Sequence, residues 1–285
     1  MRSATVLLLV AQLAFADANT PAPLTVDALR QLDVDVTFTV EGDLDAGPGF
    51  TAYLVSYRHA GLKLHAMVAV PVGEAPDGGF PVVVANHGYV PDPRRYGITA
   101  DGRDSRPGDY YRSVPALFTS RGFLTVMADY RGHNSSEGYD MISPQTAESF
   151  AFYAEDVVAL MSALDQLETA DTDNVFVWGH SMGGLVTLKA LLATDGIRAA
   201  SLWSTMDVAE YAARIGDLDI PVNVHHASGD QATAVSNSRQ LADWLDAAGR
   251  LAGFYEYDSV NHYFDESRRE SAADLDADLF RSRLQ

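Results

Sequence analysis

Apolar and polar residues alternate along the first part of the chain. The alternation covers residues 34–40, with Phe38 and three valines on one face, and returns over residues 50–57 and 62–70. This period of two is typical of half-buried strands. His59-Ala60-Gly61 separates the last two segments and predicts a hairpin turn. We therefore expect the chain to open with antiparallel strands.

Beyond residue 80, short and almost wholly apolar runs alternate with helical stretches. The predicted buried strands cover residues 82–85, 124–128, 175–178, 199–203, 222–224 and 253–257. The predicted helices cover residues 113–120, 147–167, 183–193, 236–248 and 272–283. Such runs indicate a parallel sheet covered on both faces. The sequence thus predicts one α/β domain with a doubly wound, mostly parallel sheet of about eight strands.

Two long segments fit neither pattern, residues 90–110 and residues 131–145. Loops of this length inside a compact domain are usually functional. In the first, Tyr96 and Tyr110, with the neighbouring Tyr111, could supply aromatic walls, while its charges favour a solvated rim.

The N-terminus has the features of an export signal. Arg2 precedes an apolar run over residues 6–16 that ends in Ala14-Phe15-Ala16. These features predict a secretory signal peptide over residues 1–16, or to residue 18, and the run is too short to span a bilayer. A buried N-terminal helix is the alternative. We expect a periplasmic or extracellular protein with no membrane span, a leader over residues 17–33 and a single domain over residues 34–285.

Composition narrows the chemistry and the partners. The net charge is −19, so nucleic acids and anionic membranes are poor partners. Either a saline habitat or a generally acidic composition would account for this charge. The chain has no cysteine, which excludes disulfides, thiolate nucleophiles and cysteine-ligated metals. No motif for a metal or a cofactor is present, and we expect neither.

The strongest chemical signal is the motif Gly-His-Ser-Met-Gly-Gly at residues 179–184. It lies between a predicted strand and a predicted helix, where a strained turn lifts a serine hydroxyl above the sheet. Gly179 and Gly183 leave this turn free of clashes. The N–H of Met182 lies at the new helix N-terminus, which favours a developing negative charge. The motif predicts Ser181 as a nucleophile; a glycine-rich turn that only packs is the alternative.

A serine nucleophile needs a base, and in folds with this turn an acid and then a histidine follow the serine. His262, just beyond the last predicted strand, is the expected base. Asp230 ends the preceding predicted strand at a Gly-Asp turn and is the expected acid, with Asp207 as the alternative. His225 and His226 lie on or at the end of a strand, and adjacent strand residues face opposite ways.

The strand over residues 82–85 runs into Asn86-His87-Gly88-Tyr89. The end of this strand is where the second oxyanion donor is expected, and we assign it to the N–H of Tyr89. His87 is better explained as a buried, hydrogen-bonded support than as a base.

These motifs, together with Asp129-Tyr130-Arg131-Gly132-His133, resemble in type and order those of the α/β hydrolases. The chain is most similar to the esterases and to the prolyl-oligopeptidase-like and dienelactone-hydrolase-like branch, over about residues 34–285. The resemblance implies the α/β-hydrolase fold, and for Arg131 the role of a loop organiser. Three departures are the lack of a β-propeller, Ala227 where the family often has glycine, and the segment 206–220, which is too short for a large cap.

The resemblance and the predicted triad together imply a serine carboxylic-ester hydrolase that forms an acyl-enzyme intermediate. A short, acidic segment 206–220 gives no apolar lid, so we expect an open site for short-chain or aromatic esters. An exopeptidase or amidase with the same triad is one alternative, and an inactive binding protein on the same fold is another. The oligomeric state is left open.

Overall fold

A computed structural model describes residues 22–95 and 111–285, except Pro48 and Arg112. The predicted signal peptide, the leader up to residue 21, and residues 96–110 of the long loop, with Tyr96 and Tyr110, lie outside the described residues. Within the described ranges, none of the helices is both long and apolar enough to span a bilayer.

The described residues form one mixed sheet and the helices that cover it. The strands are β1 Thr39–Gly47, β2 Phe50–His59, β3 Leu62–Pro71, β4 Phe80–Asn86, β5 Leu124–Asp129, β6 Ala170–His180, β7 Ile197–Trp203, β8 Val222–Ala227 and β9 Leu251–Tyr257. The α-helices are α1 Val26–Arg30, α2 Val114–Thr119, α3 Tyr139–Ile142, α4 Ala147–Met161, α5 Met182–Leu191, α6 Val235–Ala247 and α7 Glu266–Arg281. Short 3₁₀ helices include Leu164–Gln166 and Ala209–Asp217.

The nine strands of the described chain lie in the order β1-β2-β3-β5-β4-β6-β7-β8-β9. In this spatial order, the pairs from β1 and β2 through to β3 and β5 are antiparallel. The pairs that follow, from β5 and β4 through to β8 and β9, are parallel. The carboxyl ends of the parallel strands therefore meet at one edge, and the loops that follow them lie there together. This is the predicted mostly parallel α/β sheet, with helices on both faces.

Both faces of the sheet are buried. In β4, Val82 and Val84 belong to one hydrophobic cluster, whereas Val83 and Ala85 belong to a second. Helices α4 and α5 pack in the first cluster, and α2 and α7 in the second. Burial on both faces explains why these strands are continuously apolar in sequence.

The predicted strand over residues 34–40 is wrong for its first part. Strand pairing begins at Thr39, and Val40 is 65% exposed, although the alternation placed it on the buried face. Val36 is buried without pairing to a strand, and its carbonyl accepts a hydrogen bond of 2.7 Å from the side chain of Gln166. The N–H of Phe38 donates to the same side chain at 2.9 Å. The alternation before Thr39 therefore reflects burial against the 3₁₀ helix that carries Gln166, and not strand pairing.

Element boundaries also differ at the two termini of the described chain. Helix α1 lies in the predicted leader, and its Val26 and Leu29 are buried in the core. Helix α7 begins six residues before the predicted start, because the Asp265 side chain caps it by accepting from the N–H of Arg268. The hairpin predicted at residues 59–61 is confirmed, with positive φ at Ala60 and Gly61.

Helix α7 is fixed to the sheet by one buried carboxylate. Asp276 is fully buried and accepts hydrogen bonds from Trp203 Nε1 at 2.8 Å, Asn223 Nδ2 at 2.9 Å and His225 Nε2 at 3.0 Å. The other ring nitrogen of His225 lies 2.8 Å from the hydroxyl of Tyr257. These bonds connect α7 to β7, β8 and β9. The carboxylate is stable there because N–H donors replace its hydration.

Replacing Asp276 with alanine should destabilise the protein by about 3 kcal/mol or more, because the buried donors lose their acceptor. Asp278→Ala is the matched control on the same helix. Asp278 is exposed and pairs with Arg281 at 3.3 Å, and such pairs contribute less than about 1 kcal/mol. Urea unfolding followed by tryptophan fluorescence measures both changes. Equal, small losses in the two variants would contradict the anchoring role of Asp276.

Candidate active site

Ser181 lies at a sharp turn between β6 and α5. Its backbone has φ 58° and ψ −121°, a strained conformation for a residue with a side chain. A Cβ at Gly179 would collide with the carbonyl of Gly183, and one at Gly183 would collide with that of Asn86. The two glycines predicted for the turn are therefore sterically required.

Hydrogen bonds hold the turn on both sides of Ser181. Its N–H donates to the carbonyl of Trp203 at 2.9 Å, and its carbonyl accepts from the N–H of Gly184 at 3.0 Å and of Met206 at 3.2 Å. The residue is 7% exposed. The strained backbone is thus fixed by neighbours from two other segments.

The segments that carry the predicted oxyanion donors lie next to this turn. Met182 is the first residue of α5, so no carbonyl of a preceding helical turn accepts its N–H. The loop after β4 passes beside the serine, since a Cβ on Gly88 would lie 3.0 Å from the Cβ of Ser181. Tyr89 follows in this loop and is 45% exposed. The use of its N–H as a donor stays a prediction.

Asp230 and His262, from the loops after β8 and β9, are directly bonded. His262 Nδ1 lies 2.5 Å from Asp230 Oδ2. The other oxygen of Asp230 accepts from the N–H groups of Ala232 at 2.7 Å and Thr233 at 3.2 Å. Burial favours the neutral carboxyl, yet hydrogen bonds from His226 and His262 hold the pKa of Asp230 well below its usual value. Asp230 is therefore a carboxylate that orients the imidazole of His262.

Asp207, the alternative acid, lies elsewhere. It is exposed, and its Oδ1 accepts from the N–H of Ala209 at 2.9 Å at the start of the 3₁₀ helix. The structure thus pairs His262 with Asp230.

His262 comes close to the serine turn through His180, the residue before Ser181. The rings of His180 and His262 have centroids 4.6 Å apart, and His180 Nε2 lies 3.0 Å from the carbonyl oxygen of His262. The hydrogen bonds of the described residues include none between Ser181 Oγ and His262 Nε2. In enzymes without substrate this contact is commonly long, and it tightens when substrate binds.

His226 is a residue of the site that was not predicted from the sequence. Its Nε2 lies 3.4 Å from Asp230 Oδ2 and 3.2 Å from the carbonyl of Thr233, and its Nδ1 lies 2.7 Å from Ser238 Oγ. His225 faces the other way, toward Asp276, as the strand period predicted. The available signal was the position of His226 on β8, four residues before the acid in the loop that follows this strand.

Two further residues have supporting positions. His87 is buried, and its Nδ1 lies 2.8 Å from the carbonyl of Gly88; burial lowers its pKa to about 4, which makes it a poor base at neutral pH. Arg131 is buried and binds the carboxylate of Asp156 through its backbone N–H at 2.9 Å and its guanidinium at 2.6 Å. Both contacts agree with the predicted roles of support and loop organiser.

The segment predicted to be too short for a cap packs on the body of the protein. Residues 209–217 form a 3₁₀ helix, whose Tyr211 and Ile215 are buried in the core. Among residues 22–95 and 111–285, no group of three or more histidine or carboxylate side chains is arranged to hold a metal.

Comparisons with known proteins agree with this fold. A family described as serine aminopeptidase, S33, matches residues 91–206. A protein named "Probable dipeptidyl peptidase 4" from Emericella nidulans is 27% identical over 139 residues, which cover 48% of this chain and only 17% of that protein. The matched region is therefore a small part of this relative.

Solved structures match over most of the chain. A dienelactone hydrolase-like promiscuous phosphotriesterase from metagenomic libraries has a TM-score of 0.65 at 15% identity, over 83% of this chain and 100% of that one. An acetyl xylan esterase from Paenibacillus sp. R4 has a TM-score of 0.60 at 17% identity, over 91% and 92%. At these identities the structural matches establish the fold.

Three buried histidines should make the fold sensitive to acid. Burial lowers the pKa of His87 to about 4, of His180 to about 3, and of His133 well below 6.5. The unfolded chain binds these protons near pH 6.5, so the unfolded state holds more protons just below that pH. Stability should therefore fall as the pH drops from about 6.5 toward 4, by about 1.4 kcal/mol per pH unit for each proton.

Urea unfolding at pH 7, 6 and 5 measures this slope. His133→Asn removes one of the titrating groups. The fall in unfolding free energy with decreasing pH should therefore be smaller in this variant, by about 1.4 kcal/mol per pH unit. Tyr153→Phe, a change in the same aromatic cluster that removes no group titrating in this range, should leave the slope unchanged. A stability that is constant over this range would contradict the prediction.

Proposed function

We infer that this chain, an α/β-hydrolase of the branch that includes prolyl-oligopeptidase-like and dienelactone-hydrolase-like proteins, is a serine esterase. The observation that carries the proposal is the 2.5 Å bond between His262 and Asp230, on loops that meet the strained turn of Ser181. A serine, a histidine and an acid in this arrangement have the roles of nucleophile, base and orienting group.

The proposed reaction is acyl transfer to water. His262 Nε2 takes the proton of Ser181 Oγ as this oxygen attacks the ester carbonyl, and Asp230 stabilises the resulting imidazolium. The N–H groups of Met182 and Tyr89 bind the oxyanion. The tetrahedral intermediate collapses, His262 protonates the leaving alcohol, and water then releases the acid by the same steps.

The proposed substrates are small-molecule esters of short or aromatic acids. The segment 206–220 packs on the body of the protein and leaves the serine turn without a cap from that part of the chain. Tyr89 and Val260, on the loops of the oxyanion donor and of His262, are 45% and 74% exposed. A site without a cover buries little of a long acyl chain, so a small acyl or aryl group suits it better. On the features of its first residues, we also propose that the protein is exported.

A peptidase with the same residues is the second candidate, because residues 91–206 match a family described as serine aminopeptidase. An aminopeptidase must bind the free amine of its substrate. Hydrolysis of aminoacyl p-nitroanilides, compared with that of the corresponding p-nitrophenyl esters, separates the two candidates. Labelling by a fluorophosphonate would exclude an inactive binding protein.

Ser181→Ala should lower kcat/KM by a factor of about 10⁴ or more and leave the fold intact, since members of a triad act as a unit. Asp230→Asn should lower it by a similar or smaller factor, because the wrong tautomer of His262 is then favoured. Asp207→Asn is the matched control and should remain close to wild type. Turnover by Ser181→Ala within tenfold of wild type would refute the nucleophile, and inactivation by Asp207→Asn alone would refute the acid.

Esters of graded length test the predicted open site. kcat/KM for p-nitrophenyl esters should fall from acetate toward palmitate, with no jump in rate when the substrate forms micelles. The rates are measured below and above that concentration. Ser181→Ala serves as the blank for spontaneous hydrolysis. A preference for palmitate, or activation at the micelle threshold, would show an apolar lid.

A further inference from the structure

Tyr111 is a fully buried residue that contacts three of the loops forming the site. Its hydroxyl lies 2.6 Å from His180 Nδ1, next to the serine. A Cβ on Gly88 would collide with the same hydroxyl, so the loop of the predicted oxyanion donor passes directly over it. The ring of Tyr111 packs edge-on against Tyr263, with centroids 5.5 Å apart, in the loop of His262.

The contacts of His180 determine which of its nitrogens carries the proton. Its Nε2 faces the carbonyl oxygen of His262 at 3.0 Å, and a carbonyl can only accept, so Nε2 must be the donor. The neutral ring then accepts at Nδ1, and the Tyr111 hydroxyl donates to it. Burial and the nearby charge of His262 lower the pKa of His180 to about 3, so the ring is neutral at physiological pH.

This chain of bonds holds the backbone of His262 from one side. The bond to Asp230 at 2.5 Å holds the imidazole of His262 from the other side. Because His180 is covalently bonded to Ser181, its bond to the His262 carbonyl ties the base to the nucleophile. Two fixed points, one on the backbone and one on the ring, define where His262 Nε2 points.

We propose that Tyr111 and His180 are positioning residues, which hold His262 at its working position beside Ser181, with Tyr111 acting through its hydrogen bond to the ring of His180. The proposal rests on the proposed function, since it concerns the same site. Without the Tyr111 hydroxyl, His180 Nδ1 loses this donor and the ring of His180 is held less firmly. Its Nε2–H then aligns less well with the carbonyl of His262, and the loop of His262 is displaced.

Tyr111→Phe tests the proposal, because it keeps the ring and removes only the hydroxyl. We expect kcat for a p-nitrophenyl ester to fall by about tenfold or more with KM within about twofold, since an interaction needed in the transition state is weakened. The low-field NMR resonance of the proton between Asp230 and His262 should also shift. The matched control is Tyr153→Phe, at another buried tyrosine, whose hydroxyl has no hydrogen-bond partner among the described residues. This control should change neither kcat nor the resonance.

Variants of His180 test the pathway without changing Tyr111. The amide of His180→Gln can donate to the His262 carbonyl without a bond from Tyr111, so it should retain most of the activity, whereas His180→Phe should lose it. In the His180→Gln background, Tyr111→Phe should cost less than about twofold. Equal activity of His180→Gln and His180→Phe, or additive losses in the double variant, would overturn the proposal.

A second measurement separates this proposal from the function itself. The rate at which a fluorophosphonate labels Ser181 depends on His262 as base but on no particular ester. If the wild type is labelled yet hydrolyses none of the esters, the esterase assignment fails, and the positioning role is judged on the labelling rates of the variants. If the wild type is not labelled, the role is judged on the Asp230–His262 resonance. An unchanged resonance in Tyr111→Phe would then overturn it.

Discussion

The candidate site depends on the strained backbone turn at Ser181, which is stable only because the surrounding chain is closely packed. Ser181 has φ 58° and ψ −121°, and a conformation of this kind costs on the order of 1–3 kcal/mol. The turn persists because β6 lies inside the sheet and α5 is wholly buried, so the chain on both sides of the serine is fixed. Glycines at 179 and 183 remove the side chains that would otherwise collide. The position of the serine is thus fixed by the packing of its flanking strand and helix.

The parallel topology brings the other groups to the same edge. The loops after β4, β8 and β9 carry Tyr89, Asp230 and His262, and these strands end on the side where β6 delivers Ser181. Each residue follows the end of its strand by at most five positions, so its position is set largely by the register of the sheet. Register in turn is fixed by which side chains face each hydrophobic cluster, since a slip by one residue would exchange the two faces of a strand. The hydrophobic core therefore determines the geometry of the polar site.

The sequence pattern predicted the features of the site that depend on residues close together in the chain. The strand and helix flanking Ser181, the glycines beside it and the order of Asp230 and His262 are all visible in sequence. The strand predicted over residues 34–38 is wrong, because apolar and polar residues also alternate where a segment is buried without pairing to another strand. The role of His226 is indicated in sequence only by its position four residues before Asp230. The role of Tyr111 is not visible, since it acts on His180 from 69 residues away and such long-range polar bonds leave no periodic pattern.

Burial selects a single base among several imidazoles. His87, His180 and His226 lie around the serine and the acid, but their side chains are buried, and each is already bonded to protein groups. For His180, burial disfavours the charged ring and the nearby His262 disfavours it further, so its pKa is lowered to about 3. Among the described residues, the ring of His262 keeps an exposed part and lies against the carboxylate of Asp230. In the proposed mechanism His262 therefore accepts the proton that leaves Ser181, and the neighbouring histidines contribute shape and hydrogen bonds without competing for it.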